Sequence, residues 1–155
     1  MATTNLSNYD ASQVPSAENM RFAIITSEWN EHITFALRDG AIATLEKFGA
    51  KVIDVYYVPG AFELINASNR LAQRRYDAII ALGCVIQGGT PHFDYVCQGT
   101  TQGIAQLNAM QRKPIIYGVL TCNTEQEALD RCGGKLGNKG DEAAITAIKM
   151  VNFEK

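Results

Sequence analysis

Ala78-Ile-Ile-Ala-Leu-Gly-Cys-Val-Ile86 runs straight into Gln87-Gly-Gly-Thr-Pro91 and then into His92-Phe-Asp-Tyr-Val96. The first segment has the length and the apolar, β-branched content of a strand buried on both faces. The second is a glycine turn. Gly88 and Gly89 permit a sharp bend and a close approach to a ligand, Thr90 suits an N-cap, and Pro91 suits the first helical position. His92 then sits on the first turn of a helix whose free N–H groups face the bend. A phosphate fits that position, and the imidazole beside it can handle protons. Taken alone, the same residues also describe a tight turn carrying a solvated histidine.

Three further apolar runs, Phe22 to Thr26, Val52 to Val58 and Ile115 to Thr121, read in the same way as buried parallel strands. Helical spacing lies between them. Ile33, Ala36, Leu37, Ala41, Leu45 and Phe48 mark one face, ended by Gly49, and Leu64, Ser68, Leu71 and Ala72 mark another. Val96, Gly99, Gly103, Ile104 and Leu107 continue after the glycine turn until Pro114 bars the helix. Thr124 and Glu127 form a capping box for a short helix to about Arg131, and Ala144, Ala147, Ile148 and Val151 give a last helix. Strand and helix alternate throughout, which predicts right-handed βαβ units, an α/β layer fold, and ligands outside the carboxyl ends of the strands.

The chain has 155 residues, 46% hydrophobic and 19% charged, which is one soluble domain's worth. Residues 1–20 are polar and aperiodic and are expected to be a flexible arm or a segment laid on a neighbour, with a single domain over 21–155. A net charge of -2 provides no basic field for nucleic acid. No window approaches the ~18 apolar residues of a membrane span and no signal-peptide core opens the chain, so a cytoplasmic location is expected. The four cysteines lack C-x-x-C spacing and read as buried thiols, and the two histidines stand far apart, so no metal site is expected.

Trp29, the only tryptophan, ends the first strand in Ser-Glu-Trp-Asn. It reads either as a core anchor or, at the ligand edge of the sheet, as a platform for a planar heterocycle. Pro59-Gly-Ala-Phe-Glu63 combines a turn with a carboxylate at a helix start. Glu63 there either complements the helix dipole or, with neighbouring backbone groups, clamps a polyol. Arg131 to Gly140 places three cations in a glycine-rich loop. It matches no Walker A pattern, and it is either a solvated basic loop or a phosphate site.

From about Arg21 to Val151 the chain resembles the 6,7-dimethyl-8-ribityllumazine synthases. The resemblance rests on Trp29-Asn30, Pro59-Gly-Ala-Phe-Glu-Leu64, Gly83-Cys-Val-Ile-Gln-Gly-Gly-Thr-Pro-His-Phe-Asp-Tyr-Val96, Gly118-Val-Leu-Thr121 and Gly137-Asn-Lys-Gly-Asp-Glu-Ala-Ala144. It implies a flavodoxin-like three-layer α/β sandwich with a four-stranded parallel sheet flanked by helices. It also implies condensation of 5-amino-6-(D-ribitylamino)uracil with 3,4-dihydroxy-2-butanone 4-phosphate, the penultimate step of riboflavin biosynthesis, with no metal or redox cofactor. By similarity Trp29 stacks on the pyrimidine, Asn30, Ala61, Phe62 and Glu63 hold the ribityl chain or ring edge, and Val85 and Ile86 bind the ring through their backbone. Gly89, Thr90, Arg131 and Lys135 are implied to meet the phosphate, Lys139 a pyrimidine oxygen, and His92 to shuttle protons with support from Glu142.

The family's site lies between adjacent subunits of a homopentamer, and the glycine-rich loop and the fourth strand's aromatic, here Tyr117, come from the neighbour. The short Gly133 to Gly140 connection resembles that of members that assemble twelve pentamers into a shell of 60 subunits, a shell in which riboflavin synthase is a further expected partner. Glu28 and Gln87 depart from the commoner pattern, each removing a cation near an anionic substrate, and Cys132 to Leu136 also differ. Three alternatives share the features: an archaeal-type riboflavin synthase, a flavin-binding flavodoxin-like carrier, and a catalytically silent shell protein.

Overall fold

The computed structural model describes residues 5–153. Strands β1 (Arg21–Ser27), β2 (Val52–Val58), β3 (Ala78–Ile86) and β4 (Ile115–Cys122) form one parallel sheet in the order β2-β1-β3-β4. Helices α1 (Glu31–Lys47), α2 (Leu64–Ala72), α3 (His92–Met110), α4 (Glu125–Leu129) and α5 (Lys139–Val151) connect and cover it. Side chains alternate between faces along a strand, so Phe22 and Ile24 of β1 pack with Ile33, Leu37, Leu45, Ala144 and Ile148 of α1 and α5. Ala23 and Ile25 face the opposite layer, where Leu64 of α2 and Ile104 of α3 close the second core. The result is the expected three-layer α/β sandwich. After β2 the chain crosses back over β1 to place β3 on its other side, so the carboxyl ends of β1 and β3 flank the point where the winding reverses.

Three local expectations are corrected. β2 is not buried on both faces: it is an edge strand, and Tyr56 and Tyr57 stay exposed in this chain, because β-branched and aromatic content does not distinguish an edge from a centre. At the start of α3 it is Pro91, at φ -62, that precedes the first helical residue His92, and Thr90 is not the cap. Gly88 and Gly89 make their turn without positive φ and leave the space beside the backbone open, as expected, since a Cβ at either position would meet nothing within 4 Å. The glycine-rich segment is not a plain loop, since Cys132–Gly134 (β5) pairs antiparallel with Gly137–Asn138 (β6).

The N-terminal segment is corrected as well. Residues 1–4 lie outside those described, but Val14, Ala17 and Met20 are buried in the α1/α5 core, and the Ala17 N–H donates to Phe48 O at 2.8 Å. Residues 14–20 are therefore part of the domain and not a flexible arm.

The short helix α4 is capped nearly as its sequence predicts. Thr124 Oγ1 accepts the Glu127 N–H at 3.2 Å, while the Glu127 carboxylate reaches back to the Asn123 N–H at 2.8 Å, one residue earlier than in the usual box. At its end, the hydrogen bond from Lys135 and then that from Gln126 hold the Asp130 carboxyl below its ordinary value. A depressed carboxylate stabilises the fold above its unfolded pKa, and that stability is lost as pH falls through the lower folded value. Asp130→Asn is thus expected to lower Tm at pH 7 and to match the wild type in strong acid. Thermal unfolding across pH checks this, and a difference that persists below pH ~2 excludes the ionic origin.

All four cysteines are free thiols, Cys84 and Cys122 buried and Cys97 and Cys132 half-buried. Burial pushes Cys84 up to about 12 and raises the other three, so none is a thiolate at neutral pH. Among the described residues no helix is long and apolar enough to cross a membrane.

Candidate active site

The loops after β1 and β2 are stitched together beyond the strands. Glu28 N–H donates to Val58 O at 2.8 Å and Trp29 N–H to Pro59 O at 3.0 Å. Asn30 then turns into the left-handed region at φ 61, the sole described non-glycine residue with positive φ, and its amide donates to Cys84 O at 3.1 Å. That bond ties the β1 loop to the carboxyl end of β3. Asparagine tolerates this conformation better than most residues, and the strain sits beside a cleft.

The turn throws the Trp29 indole outward, where it is 67% exposed. This disposes of the core-anchor reading. Its ring rests on Gly60, where a Cβ would come within 2.5 Å of Trp29 Cε3, so the glycine is required by the close approach. Glu63 Oε2 accepts the Gly60 N–H at 3.1 Å and keeps the 60–63 turn closed beneath the indole.

A cleft of about 570 Å³ opens at the winding reversal. Trp29 and Asn30 after β1, Ala61, Phe62 and Glu63 after β2, and Val85 and Ile86 at the end of β3 line it, together with His92. All eight were expected at one site, and a single chain gathers them. Gly89 and Thr90 are exposed in the loop between Ile86 and His92. The cleft therefore offers aromatic faces, a carboxylate, backbone groups and an imidazole, which suits a planar polar heterocycle with a hydroxylated chain.

The remaining expected residues stand elsewhere in the chain. Tyr117, Lys139 and Glu142 line a second depression of about 460 Å³ against β4 and α5. Lys139 is only 8% exposed and its Nζ donates to Glu142 Oε1 at 2.6 Å. Within the chain Glu142 thus supports Lys139 and not His92. The Tyr117 hydroxyl lies 2.9 Å from Thr101 Oγ1, and burial raises its pKa. Arg131 Nη1 donates to Glu127 O at 2.7 Å, and Lys135 pairs with Asp130 at 2.9 Å. Neither cation lines the cleft with His92. Among the described residues no group of three His, Cys, Asp or Glu side chains is placed to hold a metal ion.

The cleft also contains Cys84, Tyr95 and Val96, which were not expected there. Tyr95 and Val96 follow His92 at helical spacing of three and four, so the first turn of α3 was the signal that could have found them. No comparable signal singles out Cys84.

Residues 19–155 match the family model described as 6,7-dimethyl-8-ribityllumazine synthase. The chain belongs to the lumazine synthase family. Among lumazine synthases so named, that of Phocaeicola vulgatus is 61% identical, covering 99% of this chain and 95% of the relative. The synthase of Parabacteroides distasonis is 56% identical, covering 99% of each, and that of Porphyromonas gingivalis 53%, covering 100% of this chain and 99% of its own. The flavin-carrier and riboflavin-synthase alternatives are not favoured, since the lumazine synthase match extends over residues 19–155 and takes in both depressions.

Proposed function

We infer that the protein condenses 5-amino-6-(D-ribitylamino)uracil with 3,4-dihydroxy-2-butanone 4-phosphate to 6,7-dimethyl-8-ribityllumazine, releasing phosphate and water. The observation that carries the reading is that the expected residues fall in two separate places: Trp29, Glu63 and His92 in a cleft that no described Lys or Arg lines, and Tyr117 and Lys139 in another depression. Two copies placed side by side complete what one lacks. Helix α3 supports such a neighbour, because only Thr100 and Ile104 of its 19 residues are buried, while Tyr95 and Met110 are exposed.

In this reading the pyrimidine stacks on Trp29 and meets the backbone of Val85 and Ile86. Asn30, Ala61, Phe62 and Glu63 clamp the ribityl chain. The neighbour brings Tyr117 and Lys139 over the ring, and brings Arg131 and Lys135 to a phosphate seated at Gly89 and Thr90. A carbonyl and an amine held together form an imine with little further help, so positioning dominates. His92 moves the protons for imine formation and phosphate elimination, and the cations and N–H groups stabilise the departing dianion. The enol left behind tautomerises and closes onto the second amine.

Mixing the purified protein with both substrates and following lumazine absorbance and phosphate release tests the reaction; absence of both products overturns it. We further propose a pentamer assembled into a 60-subunit shell. Light scattering is expected to show a particle of that size, and one no larger than a pentamer at physiological pH excludes the shell.

Trp29→Ala is expected to weaken aminouracil binding by about 1 kcal/mol or more through the lost stacking face. Because the indole is already exposed, Tm should hardly move. A lowered Tm with unchanged affinity for the aminouracil would return Trp29 to a structural role.

A further inference from the structure

The second half-site is held by a residue from the other end of the chain. Ser7 Oγ accepts the Asn138 N–H at 2.9 Å, and its proton lies within reach of both Asn138 O at 3.0 Å and Glu142 Oε1 at 3.3 Å. Glu142 Oε1 is the same oxygen that accepts from Lys139 Nζ at 2.6 Å. One hydroxyl thus connects the backbone just before Lys139 to the side chain that pairs with it. Ser7 is itself fixed, because its N–H donates to Asn5 Oδ1 at 2.9 Å. Gly137 makes the approach feasible: at φ +77 it presents no side chain, and a Cβ there would overlap Asn5 Oδ1 and Ser7 Oγ. Asn138 is anchored independently, its amide donating to Ala36 O at 2.9 Å and its Oδ1 accepting the Gly140 N–H at 2.8 Å.

We propose that Ser7 is a positioning residue for the reaction: it orients the Glu142 carboxylate and, through it, the ammonium of Lys139. The proposal rests on the assignment of Lys139 to the aminouracil. A lysine on a flexible stem needs a fixed counter-charge to present its donors in one direction, and a carboxylate held by a single hydrogen bond is free to swing about it. A second bond, from the Ser7 hydroxyl to the same Oε1, restricts that motion. The N-terminal segment thereby joins a site that its sequence neighbours, with neither charge nor aromatic ring at position 7, do not suggest.

The test uses the full-length assembled enzyme. Ser7→Ala is expected to raise KM for the aminouracil about fivefold, the effect of one hydrogen bond, with kcat and KM for the butanone phosphate within about twofold. Ser7→Thr, which keeps the hydroxyl, is expected to restore the wild-type KM. In a Lys139→Met background, Ser7→Ala should add nothing further, since both changes act on one contact. If Lys139→Met raises KM for the aminouracil and Ser7→Ala does not, the positioning role is overturned while the site assignment stands. If Lys139→Met itself leaves that KM unchanged, both are overturned. A Ser7→Ala enzyme with lowered Tm and both KM values raised together is merely destabilised, and this too overturns the role.

Discussion

His92→Ala is expected to lower kcat about 10²-fold, at the lower end of the range for a positioned acid or base, and to leave KM for the aminouracil nearly unchanged. The moderate size follows from the chemistry. Imine formation proceeds with solvent as proton carrier once amine and carbonyl are held together, so the orientation supplied by the cleft survives the mutation. What is lost is a proton carrier at the first residue of α3, exposed on the wall of the cleft that holds Trp29 and Glu63. Measurements of kcat and KM on the intact assembly decide this. A wild-type rate removes His92 from the proton transfers.

The position of His92 was legible because the signals around it agree. A β-branched strand, a glycine-rich turn and a helix start each have a local physical cause, and together they place a side chain at the carboxyl edge of a sheet. The same agreement located β1, β3 and β4 and the buried stripe Ile33, Leu37, Ala41 and Leu45 of α1. Where local cause is shared between outcomes, the reading fails. Tyr56 and Tyr57 fit a central strand as well as an edge, and the polar stretch before Arg21 gives no sign that Val14, Ala17 and Met20 enter the core. The three-residue β5 and two-residue β6 are too short for any alternation to register. Trp29 was ambiguous until its exposure could be seen, since an indole at a strand end is equally at home in a core. Above all, no periodicity within one chain encodes its relation to a second copy. The resemblance alone grouped Arg131, Lys135, Tyr117 and Lys139 with His92, and the chain by itself keeps them apart.

Arg131→Ala is expected to raise KM for the butanone phosphate roughly 10- to 100-fold, corresponding to about 1.5–3 kcal/mol for a charge-assisted hydrogen bond, while KM for the aminouracil changes little. One nitrogen of the guanidinium is spent on Glu127 O, which anchors the half-buried group, and the other terminal nitrogen makes no hydrogen bond among the described residues, which leaves it for a phosphate in a shared site. That geometry makes a stronger prediction than the KM shift. Arg131→Ala and His92→Ala chains each damage a different half of the same site, so assemblies mixed from the two contain interfaces with both halves intact. For random mixing at equal amounts about one interface in four pairs an intact cleft with an intact cation loop, and about a quarter of wild-type activity should return. The assay belongs at butanone phosphate well below the wild-type KM, where each parent alone is nearly silent. Subunit exchange has to be demonstrated in the same samples, for example by mass of differently tagged chains. Mixed assemblies that recover nothing would mean that Arg131 and His92 serve a site built within one chain, and the division of the active site between neighbours would fall with that result.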